Sequence, residues 1–178
     1  MPNYVAFLRG INVGGNKKVA MAQLRELLTE HGLTNVRTLL NSGNVVFASR
    51  KKAATLETSI EQIIADGFGI SVRCLVRSEA EIRSVIKANP LADKADNGSR
   101  YLVLFLSEPL DKALLEANDP RGLAPDDVLL GDRVIYQWCP NGIMEAPGVG
   151  GFVEKNFKVS ITGRNWNTVE KLAAMLDA

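Results

Sequence analysis

A loop rich in glycine and asparagine, residues 9–18, contains the residues best suited to bind a ligand. We call it the glycine loop, and it reads Arg-Gly-Ile-Asn-Val-Gly-Gly-Asn-Lys-Lys. Glycines make backbone conformations available that residues with a Cβ avoid, and they let a ligand approach the main chain closely. Amide, guanidinium and ammonium groups supply donors around that backbone. This combination suits an anion, and the alternative is a surface connection with solvated lysines. The candidate ligand-binding residues of this loop are Arg9, Asn12, Gly14, Gly15, Asn16 and Lys17.

A second polar turn, residues 41–44, adds hydrogen-bonding groups of the same kind. Its sequence is Asn-Ser-Gly-Asn, and we call it the asparagine turn. The flanking segments 36–40 and 45–49 are rich in Val, Leu and Phe. Because Asn and Gly tolerate the positive φ angles of tight turns, the pattern predicts a β-hairpin. The candidate ligand-binding residues here are Asn41, Ser42 and Asn44.

The elements around these two turns predict how the turns lie. Residues 3–9 are typical of a buried strand, 21–31 of an amphipathic helix ended by Gly32, 56–68 of a second helix and 71–77 of an alternating strand. Ser78 and Glu81 then have the spacing of a capping box, which predicts the start of a third helix. With the hairpin, the order of the elements before that helix is strand, helix, strand, strand, helix, strand, which is the ferredoxin-like pattern. Its third strand lies between the first two and runs antiparallel to both. The glycine loop and the asparagine turn should therefore be neighbours beside the positive end of the first helix, where an anion is favoured.

The second half of the chain resembles a degenerate copy of the first. Its pattern predicts a strand at 101–106, a helix at 110–117, a hairpin within 128–138 and a short helix near 152–157. A C-terminal helix from about Gly163 to Asp177 replaces the expected fourth strand. The predicted fold class is therefore α+β, with two ferredoxin-like units of which the second is degenerate and ends in a helix. The predicted domains are residues 1–91, a polar linker at 92–99 and residues 100–178.

A second polar cluster begins at Thr162, which we expect to cap the last helix. Arg164 then falls in the first helical turn, where its charge opposes the helix dipole by roughly 0.3–1 kcal/mol. An arginine at this position is expected to pair with a carboxylate of the protein or to bind an anion. Arg164 and Asn165 are therefore candidate ligand-binding residues, although nothing in the sequence places them beside the glycine loop.

Composition limits the kind of partner. The 178 residues are 46% hydrophobic, which is enough for a substantial core, and the formal net charge is +1, from 21 basic and 20 acidic side chains. No global field would hold a polyanion, so a nucleic-acid site would have to be a local patch. No signal-peptide pattern and no apolar run of about 20 residues is present, so we expect a cytoplasmic protein without a membrane partner.

The sequence contains no motif that is typical of a known catalytic or metal site. His31, Cys74 and Cys139 are well separated and are expected to be structural, so we predict no metal or other cofactor. Gly10 and Gly15 have the spacing of the Walker glycines, but Asn16 stands where that motif requires lysine. Whether the protein is an enzyme is left open by the sequence.

Three segments together resemble one known family. Residues 8–17 (LRGINVGGNK), 41–47 (NSGNVVF) and 164–169 (RNWNTV) are similar to the three signatures of the domain of unknown function 1697 family. The resemblance covers essentially the whole chain. It implies a bacterial, cytoplasmic α+β protein of two related ferredoxin-like units without an established activity. Where many relatives have a Ser-Lys pair after the second hairpin, this chain reads GIMEAPG at 142–148.

Three functions are compatible with these residues. The first is a non-catalytic module that binds a phosphate-bearing ligand at the glycine loop and the asparagine turn, either a small phosphorylated molecule or a nucleic-acid backbone. RNA recognition through exposed aromatics is not expected, because Phe7, Phe47 and Phe105 lie among apolar neighbours. The second is an enzyme that uses Arg9, Lys17 and Arg164 to stabilise developing negative charge. The third is a structural module that dimerises through its sheet surface, and the oligomeric state itself is unknown.

Overall fold

The first half of the chain has the element order that the sequence predicts. The structure, a computed structural model, describes residues 1–177. Four strands form one sheet in the order β2-β3-β1-β4, and every neighbouring pair is antiparallel. The third strand thus lies between the first two, as expected. The elements are β1 (Asn3–Leu8), α1 (Met21–Glu30), β2 (Thr34–Leu39), β3 (Asn44–Ala48), α2 (Ala53–Phe68) and β4 (Cys74–Ser78).

Local signals explain where the helices begin and end. Helix α1 ends before Gly32, which has φ +93°, and α2 ends at Gly69 in the left-handed conformation. Helix α3 (Glu79–Ala88) follows β4 directly. It opens with the predicted capping box, in which Ser78 N–H donates to Glu81 Oε2 (2.8 Å) and Glu81 N–H donates to Ser78 Oγ (3.2 Å).

The core of the first half forms between one face of its sheet and the two helices α1 and α2. The opposite face of the sheet is buried as well, since Val5, Phe7 and Val46 are fully inaccessible to solvent. Residues of the helix-covered core include Tyr4, Ala6 and Leu8 of β1, Leu24 and Leu28 of α1, and Leu56, Ile60 and Ile64 of α2.

The second half repeats the whole arrangement. Its sheet has the order β6-β7-β5-β8, again antiparallel throughout, so the α+β class is confirmed for both halves. A core cluster between this sheet and α5 includes Leu104, Ile135 and Val153. The elements are β5 (Tyr101–Leu106), α4 (Lys112–Ala117), β6 (Val128–Gly131), β7 (Val134–Trp138), α5 (Val149–Phe157), β8 (Ile161–Asn165) and α6 (Trp166–Leu176).

Strand β8 corrects the predicted C-terminal helix. Residues 161–165 pair with β5, so the fourth strand is present and the second copy is complete rather than degenerate. Its residues Thr162, Gly163 and Arg164 are not typical of a buried strand, but pairing with the central strand outweighs their weak propensity. Helix α6 begins at Trp166, and its cap is Asn165, whose Oδ1 accepts a bond from Thr168 N–H (2.9 Å). The expectation that Thr162 caps this helix is therefore wrong.

The chain divides into two compact units. One contains Met1–Arg83 together with the chain from Leu172 onward, and the other contains Ser84–Lys171. One cut lies within α6, and the other lies within α3, before the predicted linker at 92–99. That segment belongs to the second unit, where Lys94 Nζ lies 2.8 Å from an Asp127 carboxylate oxygen. No helix of the described chain has both the length and the apolar character needed to cross a membrane.

Candidate functional site

One asparagine organises the glycine loop. The Asn12 side chain accepts a bond from Val19 N–H (2.8 Å) and donates from Nδ2 to Val19 O (2.9 Å). The same Nδ2 donates to Asn41 O in the asparagine turn (2.8 Å). Asn12 has φ +55°, a conformation that asparagine tolerates better than most residues. Its side chain thus connects the glycine loop to Val19, directly after the loop, and to the neighbouring asparagine turn.

The glycine loop and the asparagine turn are spatial neighbours, as the predicted topology requires. Besides the Asn12 bond, Leu8 N–H donates to Gly43 O (2.9 Å) at the end of β1. Gly43 is buried with φ +92°, and a Cβ at this position would lie 2.8 Å from both Leu8 Cβ and Ile11 Cδ1. Ile11 itself is fully buried, so an apolar contact holds the two turns together beneath their polar surface.

The tip of the glycine loop is a tight turn that presents two amides to solvent. Val13 and Asn16 form an antiparallel bridge, with Asn16 N–H donating to Val13 O (3.0 Å). Gly14 and Gly15 lie between them with φ +58° and +77°, the positive values that type I′ turns require at both central residues. Both glycines are exposed, and within residues 1–177 neither donates its main-chain N–H to another residue.

Other groups of the predicted site are used inside the protein. The main-chain N–H groups of Arg9, Asn12 and Gly43 donate to carbonyl oxygens of the protein. Asn44 is fully buried, and its Nδ2 donates to Leu39 O (2.9 Å) and Ser42 Oγ (3.1 Å). Asn12 and Asn44 therefore hold the two turns in place. The other candidate residues of the two turns are exposed, namely Arg9, Gly14, Gly15, Asn16, Lys17, Asn41 and Ser42.

Positive charge surrounds the exposed tip. The side chains of Arg9, Lys17 and Lys18 are exposed, and Lys17 Nζ donates to Ser71 O (2.7 Å). Helix α1 starts after Ala20 without a side-chain cap. The first-turn amides of an uncapped helix lack intrahelical acceptors and give its N-terminus a partial positive charge. The local field is thus cationic although the whole chain is nearly neutral.

Arg164 and Asn165 have positions that differ from the prediction. Arg164 lies in β8, not in the first turn of a helix, so the argument from the helix dipole does not apply to it. It is 9% exposed, and its Nη1 donates to Thr162 Oγ1 and Gly163 O, both at 2.8 Å. Asn165 caps α6. Both residues belong to the second unit.

The capping role of Asn165 gives a stability prediction. Replacing Asn165 by Ala removes the acceptor for Thr168 N–H and should lower the free energy of unfolding by about 1 kcal/mol. Asn165→Asp keeps a carboxyl oxygen at the same place and should retain most of that stability. Urea unfolding monitored by circular dichroism measures both variants. Equal stability of Asn165→Ala and the wild type would show that the cap contributes nothing.

The corresponding edge of the second unit has the same main-chain bonds but another loop. Leu106 N–H donates to Arg133 O (3.0 Å), as Leu8 N–H does to Gly43 O. Ser107 N–H donates to Ser160 O (2.9 Å), as Arg9 N–H does to Arg73 O (3.0 Å). After β5, however, the connection to α4 reads Ser-Glu-Pro-Leu-Asp, without glycine and with acidic residues. The strand arrangement therefore does not require a glycine loop.

Sequence reasoning missed Ser71 and Arg73, which lie just before β4. Ser71 accepts the Lys17 bond through its carbonyl, and Arg73 lies beside Arg9 in the ladder. A main-chain acceptor cannot be recognised in a sequence, and only the basic character of Arg73 was a signal.

Cys74 and Cys139 are buried as expected, and burial raises the pKa of the Cys139 thiol to about 11. His31 caps α1 at its C-terminus, and its Nδ1 lies 2.9 Å from Leu27 O.

Comparisons with known proteins agree on the family and the fold. A family model described as Protein of unknown function (DUF1697) matches residues 1–136, which include the glycine loop and the asparagine turn but not Arg164 and Asn165. Among solved structures, the chain is similar to the conserved bacterial protein SP0830 from Streptococcus pneumoniae, with 26% sequence identity and a TM-score of 0.72. The alignment covers 98% of each chain. No curated protein matches the sequence.

Proposed function

This chain belongs to the DUF1697 family of proteins of unknown function, and we propose that its glycine loop binds the phosphate group of a ligand. The observation that carries the proposal is the pair of exposed amides at Gly14 and Gly15, which donate to no residue within 1–177. Successive main-chain N–H groups in a turn form concave sites for anions. Asn12 fixes this turn through three side-chain bonds, so little ordering would be needed when an anion binds.

The charges around the turn support an anionic rather than a neutral ligand. Arg9, Lys17 and Lys18 supply exposed cations, and the N-terminus of α1 adds a partial positive charge. Because the net charge is only +1, these groups form a local site and would not attract polyanions over a long range. The second unit supports the same conclusion, since it has the same strand order without any of these loop residues.

The two alternative functions have less support. The enzyme hypothesis used Arg164 as a third cation, and that side chain is buried and donates to Thr162 and Gly163. Dimerisation through a sheet face would need exposed apolar residues, but Val5 and Phe7 of one sheet and Val103 and Phe105 of the other are fully buried.

Three broader assignments accompany the proposed site. We infer that both units have the ferredoxin-like fold, because each combines the element order strand, helix, strand, strand, helix, strand with an antiparallel sheet of matching strand order. We also propose a cytoplasmic location, for which two free cysteines and a related bacterial protein are the support. The proposed partner is a small phosphorylated molecule or, as the alternative, a nucleic-acid backbone.

Charge-removing variants test the proposed site. Inorganic phosphate should raise the melting temperature of the wild type above the value in chloride at equal ionic strength, which separates binding from screening. Arg9→Ala and Lys17→Met should each weaken phosphate binding about 3- to 10-fold, because each removes one charge-assisted contact. Lys112→Ala in α4 of the second unit is the matched control and should bind as the wild type does. No difference between phosphate and chloride, or equal losses in all three variants, would contradict the proposal.

A further inference from the structure

A groove with a mixed polar and apolar lining lies within reach of the Lys17 side chain of the glycine loop. It runs between α2 and the start of β4 and has a volume of about 330 Å³, which is within the range of roughly 300–1,000 Å³ that is usual for small-molecule sites. The groove and the loop are physically connected, because Lys17 Nζ donates to the carbonyl of Ser71, which lines the groove. The lining residues are Thr58, Glu61, Gln62, Ala65, Ser71, Val72 and Arg73.

Hydrogen bonds fix the charged residues of this groove. Glu61 Oε2 accepts a bond from Cys74 N–H (2.7 Å) and lies 3.2 Å from Arg73 Nη1. Arg73 in turn continues the ladder toward the loop, because its carbonyl accepts from Arg9 N–H (3.0 Å). Two cationic side chains, those of Lys17 and Arg73, thus lie at the groove, one at its edge and one in its wall. An anionic group of a ligand in the groove would meet both.

The chemistry of the lining favours a hydroxyl-rich ligand body. Thr58 and Ser71 contribute hydroxyl groups, and Gln62 contributes an amide whose Nε2 is oriented by Asp66 Oδ1 (2.8 Å). Only Ala65 and Val72 are apolar, and none of the lining residues is aromatic. A nucleobase is usually held by stacking on aromatic side chains or arginine planes. Sugar hydroxyls, by contrast, pair with hydroxyl, amide and carboxylate groups such as these.

We propose that this groove holds the polyhydroxylated body of a small sugar phosphate whose phosphate group binds at the glycine loop. The proposal rests on the proposed function, since it takes the loop as the phosphate site and adds the groove as the site that selects the ligand. Lys17 and Arg73 lie where the two parts of such a ligand meet. A nucleic-acid backbone would use the loop but would gain nothing from the groove.

Calorimetric titrations with four probes separate the two proposals. The probes are inorganic phosphate, ribose 5-phosphate, free ribose and a short oligothymidylate. We expect ribose 5-phosphate to bind the wild type about tenfold or more tightly than inorganic phosphate, and free ribose to bind more weakly than either. The groove proposal is overturned if ribose 5-phosphate and phosphate bind equally, or if oligothymidylate, compared per phosphate, binds more tightly than ribose 5-phosphate. Binding of phosphate alone would leave the loop proposal intact, and binding of no probe would overturn both.

Groove-filling variants locate the selective part of the site. Ala65→Phe should abolish the tenfold advantage of ribose 5-phosphate and leave the affinity for phosphate within about twofold of the wild type. Ala80→Phe, at an exposed position of α3 away from the groove, is the matched control and should retain the advantage. If Ala65→Phe does not fold, Gln62→Ala provides the same test and should reduce the advantage at least threefold. An unchanged preference for ribose 5-phosphate in the folded groove variants would overturn the proposal.

Discussion

Gly43→Ala is expected to lower the free energy of unfolding by roughly 2–4 kcal/mol. Two costs add. Alanine at φ +92° is strained, and its Cβ would lie 2.8 Å from Leu8 Cβ and Ile11 Cδ1. Leu8 Cβ cannot move without the β1 backbone, so the contact has no easy relief. Urea unfolding followed by circular dichroism measures the loss.

Gly32→Ala is the control for the backbone contribution. Gly32 has nearly the same angle, φ +93°, but no atom lies within 4 Å of a Cβ placed there. It should therefore cost only about 1 kcal/mol, the usual cost of alanine in the left-handed region. If Gly43→Ala and Gly32→Ala are equally destabilising, the close packing of the asparagine turn against Leu8 and Ile11 does not exist as described.

Asn12→Ala is the second substitution with a large expected effect. It removes three side-chain hydrogen bonds, to Val19 N–H, Val19 O and Asn41 O. At about 0.5–1.5 kcal/mol for each bond, partly compensated by water, stability should fall by roughly 2–3 kcal/mol. Phosphate affinity should fall about tenfold or more, because the turn at Gly14 and Gly15 is no longer held open. Urea unfolding and phosphate titration of the same variant measure the two effects.

Asn35→Ala is the matched control for this substitution. Asn35 also has a positive φ, +52°, and its side chain is exposed. It should lose only the preference of asparagine for this conformation, about 1 kcal/mol, and should bind phosphate as the wild type does. An Asn12→Ala protein that is no less stable than Asn35→Ala and binds phosphate normally would show that Asn12 does not organise the loop.

Much of the architecture could be predicted from sequence because its signals are local. The spacing of Leu56, Ile60 and Ile64 predicted α2, and the Ser78–Glu81 capping box predicted the start of α3. Strand order followed from the sequence of elements. The strand order in turn predicted that the glycine loop and the asparagine turn are close together. The hydrogen bond between Asn12 and Asn41 confirms this.

Strand β8 could not be predicted in this way because its evidence is not local. Thr162, Gly163 and Arg164 have weak strand propensity, and their pairing partner β5 lies far away in the chain. One signal was available. Arg77 and Arg164 occupy equivalent register positions in their sheets, opposite Val5 and Val103, so the repeat itself implied a strand there.

The location of the site was predicted, but the sequence did not distinguish its structural residues from its exposed ones. Composition alone could not show that the side-chain amides of Asn12 and Asn44 donate to groups of the protein, whereas Gly14 and Gly15 face solvent. That distinction depends on backbone angles and on the identity of each acceptor. The groove was missed entirely, because its residues come from α2 and from the start of β4 and share no motif.

The most direct test of the account is an NMR titration of the ¹⁵N-labelled protein with inorganic phosphate. We predict that the largest amide shifts occur at Gly14 and Gly15, because their N–H groups would donate to the phosphate oxygens. Gly131, at the end of β6 in the second unit, should not shift. Unchanged signals at Gly14 and Gly15, or larger shifts in the second unit, would contradict the claim that the glycine loop is an anion site.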